Sequence, residues 1–230
     1  MGNADVVGHF HRLIAFDLDG TLIDSRRDLA DSANQLIEEL GGQILTEEQI
    51  GGMVGEGAAL LVRRALQASG RGGRADALER FLEIYDERLL NHTRVYDGVE
   101  EVVRQARGRA RLTVLTNKPT TPTERILAGL GLRDVFDEVI GGDGPYQRKP
   151  DPAGLKAMMG AANTTPENTL LVGDSAIDLE TAKRGGVSCC LVSYGFGFRR
   201  ELLQQQGPGV LVASTATELR HAIDAWLEGA

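Results

Sequence analysis

The chain has 230 residues, of which 42% are hydrophobic and 25% are charged, the balance of a folded globular protein rather than a disordered one. Its 33 acidic side chains outnumber the 25 lysines and arginines, and the formal net charge is −8. This excess of acid argues against a nucleic-acid partner, which needs clustered basic charge, and it means that an anionic substrate must be received by local cations or by a metal.

The first predicted element is a short buried strand, 13–16, and two carboxylates follow it directly. Asp17 and Asp19 are two residues apart, so in extended backbone they project to the same side of the strand end. Neighbouring carboxylates repel each other, so either a cation neutralises them or one pKa rises. Both outcomes serve phosphate-ester hydrolysis, with one carboxylate as nucleophile and the other as general acid and then base. Gly20 permits a tight turn and the Thr21 hydroxyl can donate to a phosphoryl oxygen, although an acidic surface turn with Thr21 as its cap is the structural alternative.

A purely helical stretch comes next, from about residue 26 to residue 94, in which we identify no strand. Its first helix carries an apolar stripe at helical spacing, formed by Leu29, Ala33, Leu36, Ile37 and Leu40. Thr46 and Gln49 have the spacing of a capping box that opens a second helix, and residues 60–66 and 77–90 predict two more.

The rest of the chain alternates short apolar runs with helical patterns. The predicted strands are 112–115, 139–140, 169–172, 189–192 and 210–212, and the predicted helices are 99–107, 123–130, 152–161, 179–184 and 218–227. This alternation predicts an α/β fold, a doubly wound parallel sheet with ligands at the carboxyl ends of its strands. We therefore expect an α/β core formed by residues 1–24 and 95–230, with residues 25–94 inserted as an all-helical cap domain.

Polar side chains follow two later strands, and a lysine precedes a helix between them. Thr116 and Asn117 could hold phosphoryl oxygens, and Lys149 could neutralise a phosphoryl group and the nucleophile at once. Asp174 and Asp178 supply the oxygen ligands that suit Mg²⁺. Each feature alone has an ordinary structural explanation as a turn, a surface charge or a helix cap, but their order along the chain is specific.

With these residues in place, the chain resembles the haloacid dehalogenase superfamily over essentially its whole length. The four motifs of that superfamily correspond to the Asp17–Thr21 run, to Thr116, to Lys149 and to the run 173–178. The resemblance implies a Rossmann-like core, Mg²⁺ as cofactor, and an aspartyl-phosphate formed on Asp17, which is also a metal ligand.

The same resemblance implies roles for the other motif residues. Asp19 would be the general acid and base, and a metal ligand through its backbone carbonyl. Asp174 would bind the metal, and Asp178 would support the metal site directly or through water. The phosphoryl group would be bound by Gly20, Thr21, Thr116, Asn117 and Lys149.

Within the superfamily, the sequence looks most like the phosphoglycolate phosphatases, on the runs 21–25, 54–58, 64–66, 116–119 and 141–143. This resemblance implies hydrolysis of a small phosphomonoester, with 2-phosphoglycolate as the expected substrate. The cap would then read the leaving group through Gly55, Glu56, Gly57 and Arg64. Arg64 is the candidate for a carboxylate, because an arginine binds one through two parallel hydrogen bonds.

Several other activities are associated with parts of this residue pattern. Haloacid dehalogenation is disfavoured because those relatives lack the second aspartate, and phosphonate hydrolysis is disfavoured because residues 26–94 contain no lysine for a Schiff base. A phosphosugar phosphatase or mutase and a pyrophosphatase remain open, since they share the core residues. The inserted cap argues against a receiver-type signalling domain, and the full set of motif residues argues against a non-catalytic binding module.

We further expect a cytoplasmic protein, monomeric or homodimeric, with a small-molecule substrate and no nucleic-acid or membrane partner. No run approaches the roughly 18 apolar residues of a membrane span, and Met1 to Val6 lacks the features of a signal peptide or a myristoylation site. The adjacent Cys189 and Cys190 are predicted to lie in a buried strand rather than in a disulfide.

Overall fold

The computed structural model describes residues 11–205, 207 and 209–229. The predicted absence of a leader at Met1 to Val6, and the first ten residues of the predicted core domain, lie outside the described residues.

The strands within this described part follow the predicted apolar runs closely. In chain order they are β1 (Leu13–Phe16), β2 (Ile23–Asp24), β3 (Arg94–Val95), β4 (Arg111–Leu115), β5 (Glu138–Ile140), β6 (Thr169–Gly173), β7 (Ser188–Val192) and β8 (Val210–Ala213).

The α-helices fill the intervals between them, together with three short 3₁₀ turns at Arg133–Val135, Pro166–Asn168 and Arg200–Gln205. The α-helices are α1 (Arg26–Glu39), α2 (Glu47–Gly51), α3 (Ala58–Ala68), α4 (Ala77–Asp86), α5 (Val99–Ala106), α6 (Thr120–Gly129), α7 (Ala153–Ala162), α8 (Ala176–Gly185) and α9 (Ala216–Glu228). No α-helix among them is long and apolar enough to cross a membrane.

Six of the strands form one parallel sheet in the order β5-β4-β1-β6-β7-β8. Successive side chains of a strand point to opposite faces, and β1 accordingly places Ile14 and Phe16 in one apolar cluster and Leu13 and Ala15 in another. Helices α5, α6 and α9 cover the first face, and α7 and α8 cover the second. The predicted doubly wound parallel sheet is confirmed.

The same alternation explains the two cysteines. Cys190 belongs to the first apolar cluster and Cys189 to the second, so the two side chains lie on opposite faces of β7. Both thiols are free and buried, as the apolar run predicts.

Helices α1 to α4 form the inserted module, which we call the cap. Within it, α1 packs against α2, α3 and α4. The capping box predicted at the start of α2 is present, since the Thr46 side chain accepts from the Gln49 N–H and the Gln49 side chain accepts from the Thr46 N–H. Phe81 and Tyr85 of α4 stack with their ring centroids 5.8 Å apart.

The module joins the core through two adjacent chain segments. Strands β2 and β3 pair antiparallel, with Ile23 opposite Val95 and Asp24 opposite Arg94. The expectation of no strand up to residue 94 was therefore wrong at its last residue, because a two-residue strand is too short to produce a periodic pattern. The carboxylate of Asp24 accepts two hydrogen bonds from the Arg26 guanidinium, at 2.7 and 2.9 Å.

A second buried carboxylate fastens the returning chain to the start of the module. Asp28 of α1 accepts hydrogen bonds from the His92 N–H and from both the N–H and the hydroxyl of Thr93. These bonds hold the segment that leads back to β3 beside the segment that leaves β2.

Candidate active site

The predicted chemical residues meet at the carboxyl edge of the sheet, around β1. Asp17 follows β1, Thr116 follows the neighbouring β4, and Asp174 follows β6 on the other side. From β1 the sheet extends through β4 and β5 on one side and through β6, β7 and β8 on the other. Ligands of doubly wound sheets bind at such a switch point. Lys149 lies between β5 and α7, and Asp178 lies in the first turn of α8.

Two buried carboxylates contact one buried ammonium group at this edge, and the buried carboxylate of Asp174 lies beside them. The Lys149 Nζ lies 2.9 Å from an oxygen of Asp17 and 2.6 Å from one of Asp178. Burial raises the pKa of Asp17 to about 6, because the Lys149 charge offsets only part of the desolvation and Asp178 adds repulsion. Burial, with repulsion from Asp178 and Asp17, also raises the pKa of Asp174 well above its ordinary value.

Glycines allow the chain to pass this closely around the carboxylates. Gly20 has φ +84°, and a Cβ there would lie 2.0 Å from a carboxylate oxygen of Asp174. A Cβ on Gly195 would lie 2.3 Å from the Asp174 side chain, and one on Gly173 would lie 2.2 Å from the Asp178 carboxyl carbon. Any side chain at these positions would displace the carboxylates, so the glycines fix the shape of the cluster.

The cluster fits a magnesium ion. Asp17, Asp174 and Asp178 each offer a carboxylate oxygen, and these oxygens lie within 4.8 Å of one another. When all three carboxylates are ionised, the single ammonium leaves an excess of two negative charges, which a divalent cation would neutralise. Mg²⁺ prefers carboxylate oxygens with remaining positions for water and substrate, and this donor set meets that preference.

Asp178 is held more tightly than the other two carboxylates. Besides Lys149, it accepts hydrogen bonds from the Ser175 N–H and hydroxyl, and Ser175 in turn caps α8. This capping box starts α8 at Ala176, before the residue 179 that periodicity indicated. Because of these bonds, the Asp178 carboxylate oxygens are better placed to orient Lys149 and Ser175 than to move toward a ligand.

Asp19 lies apart from this cluster and has its own partners. Its carboxylate accepts from the Ser25 hydroxyl at 2.6 Å and from the Lys118 ammonium at 3.0 and 3.2 Å. The sequence predicted a role for Asp19 but assigned none to Ser25 or Lys118. The available signal for Lys118 was its place two residues after Thr116 at the end of a predicted strand. The sequence did not reveal that the Lys118 side chain is buried, with only 7% of it exposed.

Two of the predicted phosphoryl ligands are buried threonines. The Thr21 hydroxyl is buried and has no hydrogen-bond partner within the described ranges. The Thr116 hydroxyl is also buried and accepts from the Lys118 N–H at 3.3 Å. Of the two, Thr116 borders the adjoining cavity, so its hydroxyl can donate to an oxygen that enters there. The phosphoryl contact of Thr21 stays a prediction.

Asn117 contributes to the junction of core and cap. Its side-chain amide donates to the Gly55 carbonyl at 2.8 Å and to the Lys149 carbonyl at 2.9 Å, so both amide hydrogens are engaged. Its carbonyl oxygen is buried and unpartnered among the residues described. The predicted phosphate contact of Asn117 stays a prediction, and the bond to Gly55 adds a cap-positioning role.

A small cavity of about 50 Å³ connects this site with the cap. Core residues Asp17, Asp19, Thr116, Asn117 and Lys118 line one side, and the cap lines the other with Val54, Gly55, Gly57, Ala58, Leu61, Phe81, Leu82 and Tyr85. Of the predicted cap residues, Gly55 and Gly57 thus border the cavity.

The remaining two predicted cap residues bond to each other. An Arg64 nitrogen lies 2.5 Å from a Glu56 oxygen, and both side chains are more than one third exposed. Neither side chain borders the cavity in the structure. Their role in substrate recognition stays a prediction.

Both the sequence and the fold are similar to those of known proteins. Residues 14–192 match the family model described as haloacid dehalogenase-like hydrolase. The chain is 42% identical over 194 residues to a phosphoglycolate phosphatase of Rhodospirillum rubrum, covering 80% of each protein. It is 37% identical over 214 residues to a phosphoglycolate phosphatase of Pseudomonas putida, covering 89% of this chain and 77% of that protein.

A crystal structure with the same architecture was also found. It is described as a predicted phosphoglycolate phosphatase from Haemophilus somnus 129pt and superimposes with a TM-score of 0.85 at 28% sequence identity. The match covers 94% of this chain and 99% of that one, so it includes both the sheet and the inserted helices.

Proposed function

The chain belongs to the haloacid dehalogenase-like hydrolases, and from this premise we propose that it is a magnesium-dependent phosphatase that hydrolyses 2-phosphoglycolate through an aspartyl-phosphate on Asp17. The observation that carries the mechanism is that the carboxylates of Asp17 and Asp19 are separated and have different partners, which suits different roles. Asp17 lies against Lys149 in the buried cluster, whereas Asp19 lies against Ser25 and Lys118 beside the cavity.

In the first half-reaction, an oxygen of Asp17 attacks phosphorus in line with the ester oxygen. The Asp17 O–P bond forms and the P–O bond to the leaving group breaks. The hydroxyls of Thr21 and Thr116 and the ammonium of Lys149 bind the phosphoryl oxygens. Asp19 starts the cycle protonated and gives its proton to the departing alkoxide, which leaves as an alcohol into the cavity.

In the second half-reaction, Asp19 is the base. It takes a proton from a water molecule, whose oxygen attacks phosphorus and releases phosphate from Asp17. Both carboxylates then return to their starting states. Lys118 and Ser25 hold Asp19 in place for the two proton transfers, since they bind the same carboxylate from two sides.

Magnesium would be held by Asp17 and Asp174, with Asp178 supporting the site and the Asp19 carbonyl as a further ligand by family resemblance. When bound, it would supply positive charge that offsets the negative charge of the phosphoryl oxygens and of the carboxylates.

The size of the cavity between core and cap favours a small substrate. The cavity of about 50 Å³ is far below the 300–1,000 Å³ of pockets for drug-sized ligands. Its walls exclude bulk water from the acyl-phosphate, which favours controlled hydrolysis. A cytoplasmic location is part of the proposal and is supported by the two free thiols, Cys189 and Cys190.

The test is a panel of phosphomonoesters assayed with Mg²⁺. We expect the highest kcat/KM for 2-phosphoglycolate, with lower values for hexose phosphates and for pyrophosphate, and release of free phosphate without a second sugar. A requirement for a bisphosphate activator, with little free phosphate, would instead identify a mutase.

A further inference from the structure

We propose that Lys118, Tyr85 and the amino terminus of α3 form a subsite for a carboxylate on the leaving group, one carbon away from the phosphate ester oxygen. The subsite rests on the phosphatase function proposed above and names how its substrate class is recognised. It assigns recognition to a lysine of the core and a tyrosine of the cap.

Lys118 is the only cation, among the described residues, that lines the cavity between core and cap. Its ammonium lies 4.6 Å from the centroid of the Tyr85 ring and 3.0 Å from Asp19. The Lys118 side chain is buried between this ring and this carboxylate, which hold its ammonium in place. A fixed positive charge thus faces a cavity whose other walls are mostly apolar.

Tyr85 provides an unused donor beside that charge. Its side chain is buried at 3% exposed and lines the cavity, and its hydroxyl hydrogen has no acceptor in the described part of the chain. The neighbouring Lys118 ammonium can only donate to the hydroxyl oxygen. A buried donor without an acceptor costs free energy, which a bound acceptor would recover. Burial raises the pKa of Tyr85 to about 12, so the hydroxyl keeps its proton for donation.

The amino terminus of α3 adds free backbone donors. The helix begins at Ala58, its cap is Gly57, and no side chain caps it. The first N–H groups of a helix have no partner inside the helix, and they attract anions. Both Gly57 and Ala58 line the same cavity as Lys118 and Tyr85.

The geometry favours a carboxylate close to the ester oxygen. Asp19 must reach the ester oxygen to protonate it, and Lys118 is in direct contact with Asp19. One ammonium can therefore bind Asp19 and a carboxylate that is separated from the ester oxygen by a single carbon, as in 2-phosphoglycolate. A second phosphate dianion would bring more negative charge than one lysine neutralises, and the apolar side chains of Leu61, Phe81 and Leu82 offer it nothing further.

The first experiment compares 2-phosphoglycolate with ethyl phosphate, which has no carboxylate, in steady-state kinetics of Tyr85→Phe. Loss of a hydrogen bond to a charged group is worth about tenfold or more. We expect the ratio of the two kcat/KM values to fall by about that factor in Tyr85→Phe. It should be unchanged in Tyr146→Phe, which alters an exposed tyrosine outside the cavity.

The second experiment measures binding apart from chemistry, because Lys118 also touches Asp19. In an Asp17→Asn background, calorimetry gives the Kd of each ester with and without Lys118→Gln. We expect the Kd of 2-phosphoglycolate to rise by about tenfold or more and that of ethyl phosphate to rise much less. The exposed Lys156 supplies the matched control, Lys156→Gln.

The outcomes separate the subsite from the proposed function. If the unaltered enzyme prefers 2-phosphoglycolate and both variants keep that preference, the subsite is overturned while the function stands. Loss of the preference in Arg64→Ala but not in Tyr85→Phe would move recognition to Arg64 and equally overturn it. If the enzyme hydrolyses neither ester, the proposed function fails, and the Kd ratio alone decides the subsite.

Discussion

At the residue scale, Asp17 and Lys149 form an ion pair on which the proposed chemistry depends. Replacing Asp17 by Asn keeps the volume of the side chain but removes the nucleophile, so we expect Asp17→Asn to have no measurable turnover and an unchanged circular dichroism spectrum. The measurement is phosphate release together with far-ultraviolet dichroism. Retention of more than a trace of activity would contradict covalent catalysis through this residue.

In the proposed mechanism Asp19 carries the proton in both half-reactions, and Ser25 and Lys118 keep it beside the cavity. We expect Asp19→Asn to lower kcat by about 10²- to 10⁴-fold, the usual contribution of general acid and base catalysis. Rapid-quench detection of the phosphoenzyme would check the assignment. Unimpaired formation and breakdown of the phosphoenzyme in Asp19→Asn would exclude this residue as the acid and base.

Sequence reasoning succeeds at this scale where a residue type is tied to a strand end. Asp17, Thr116 and Asp174 follow predicted strands, so parallel pairing brings them together without further information. Tyr85 could not be recognised in the same way, because an aromatic residue on the apolar face of a helix has the pattern of a core residue. Its unpartnered hydroxyl appears only when the cap is packed over the site.

At the scale of elements, the β2–β3 connection contains an ion pair whose contribution depends on pH. Burial acts to raise the pKa of Asp24, but hydrogen bonds and charge from Arg26 outweigh it, and the pKa is lowered from 3.8. A carboxylate with a lowered folded pKa stabilises the folded state above its ordinary pKa and loses that contribution as pH falls toward the folded value. The pair therefore stabilises the fold at neutral pH.

We accordingly expect Asp24→Asn to lower the free energy of unfolding at about pH 7 by about 1 kcal/mol, a modest value because Arg26 is 37% exposed and solvent screens the pair. The difference from the unaltered protein should shrink as pH falls from about 5 to about 3. Urea denaturation at both ends of this range is the measurement. A difference that grows on acidification would have the wrong sign for this pair.

Helices and strands of the core were predictable from period, but their ends were set by contacts outside the pattern. Helix α6 begins at Thr120 rather than residue 123, because the Asp143 carboxylate accepts from both the N–H and the hydroxyl of Thr120. Asp143 is distant in sequence, so no local pattern could indicate it. The short strands β2 and β3 were missed for the same reason, since they exist through pairing with each other.

At the scale of the whole molecule, the excess negative charge of the carboxylate cluster should make the fold sensitive to magnesium. A ligand that binds only the folded state at 100 times its Kd stabilises by about 2.7 kcal/mol. We expect Mg²⁺ to raise the Tm of the unaltered protein, and to raise it much less in Asp174→Asn, which removes one carboxylate oxygen donor. Equal shifts in both proteins would place the ion elsewhere.

Activity should depend on the same ion. We expect turnover to vanish in EDTA and to return with Mg²⁺, whereas Ca²⁺ should inhibit. The larger Ca²⁺ accepts bidentate carboxylates at higher coordination number, which would draw an Asp17 oxygen away from the line of attack. Full phosphate release in the presence of chelator would remove the metal from the mechanism.

The antiparallel pairing of β2 with β3 means that the helical insert enters and leaves the core at a single point. Inserts whose ends are close together are tolerated by the host fold, so we expect that this helical insert could be exchanged between relatives as a unit. A transplanted insert would bring Tyr85 and the start of α3 but leave Lys118 behind. We expect chimeras of this kind to keep the hydrolytic chemistry of the core, while their selectivity among substrates would depend on residues from both source proteins.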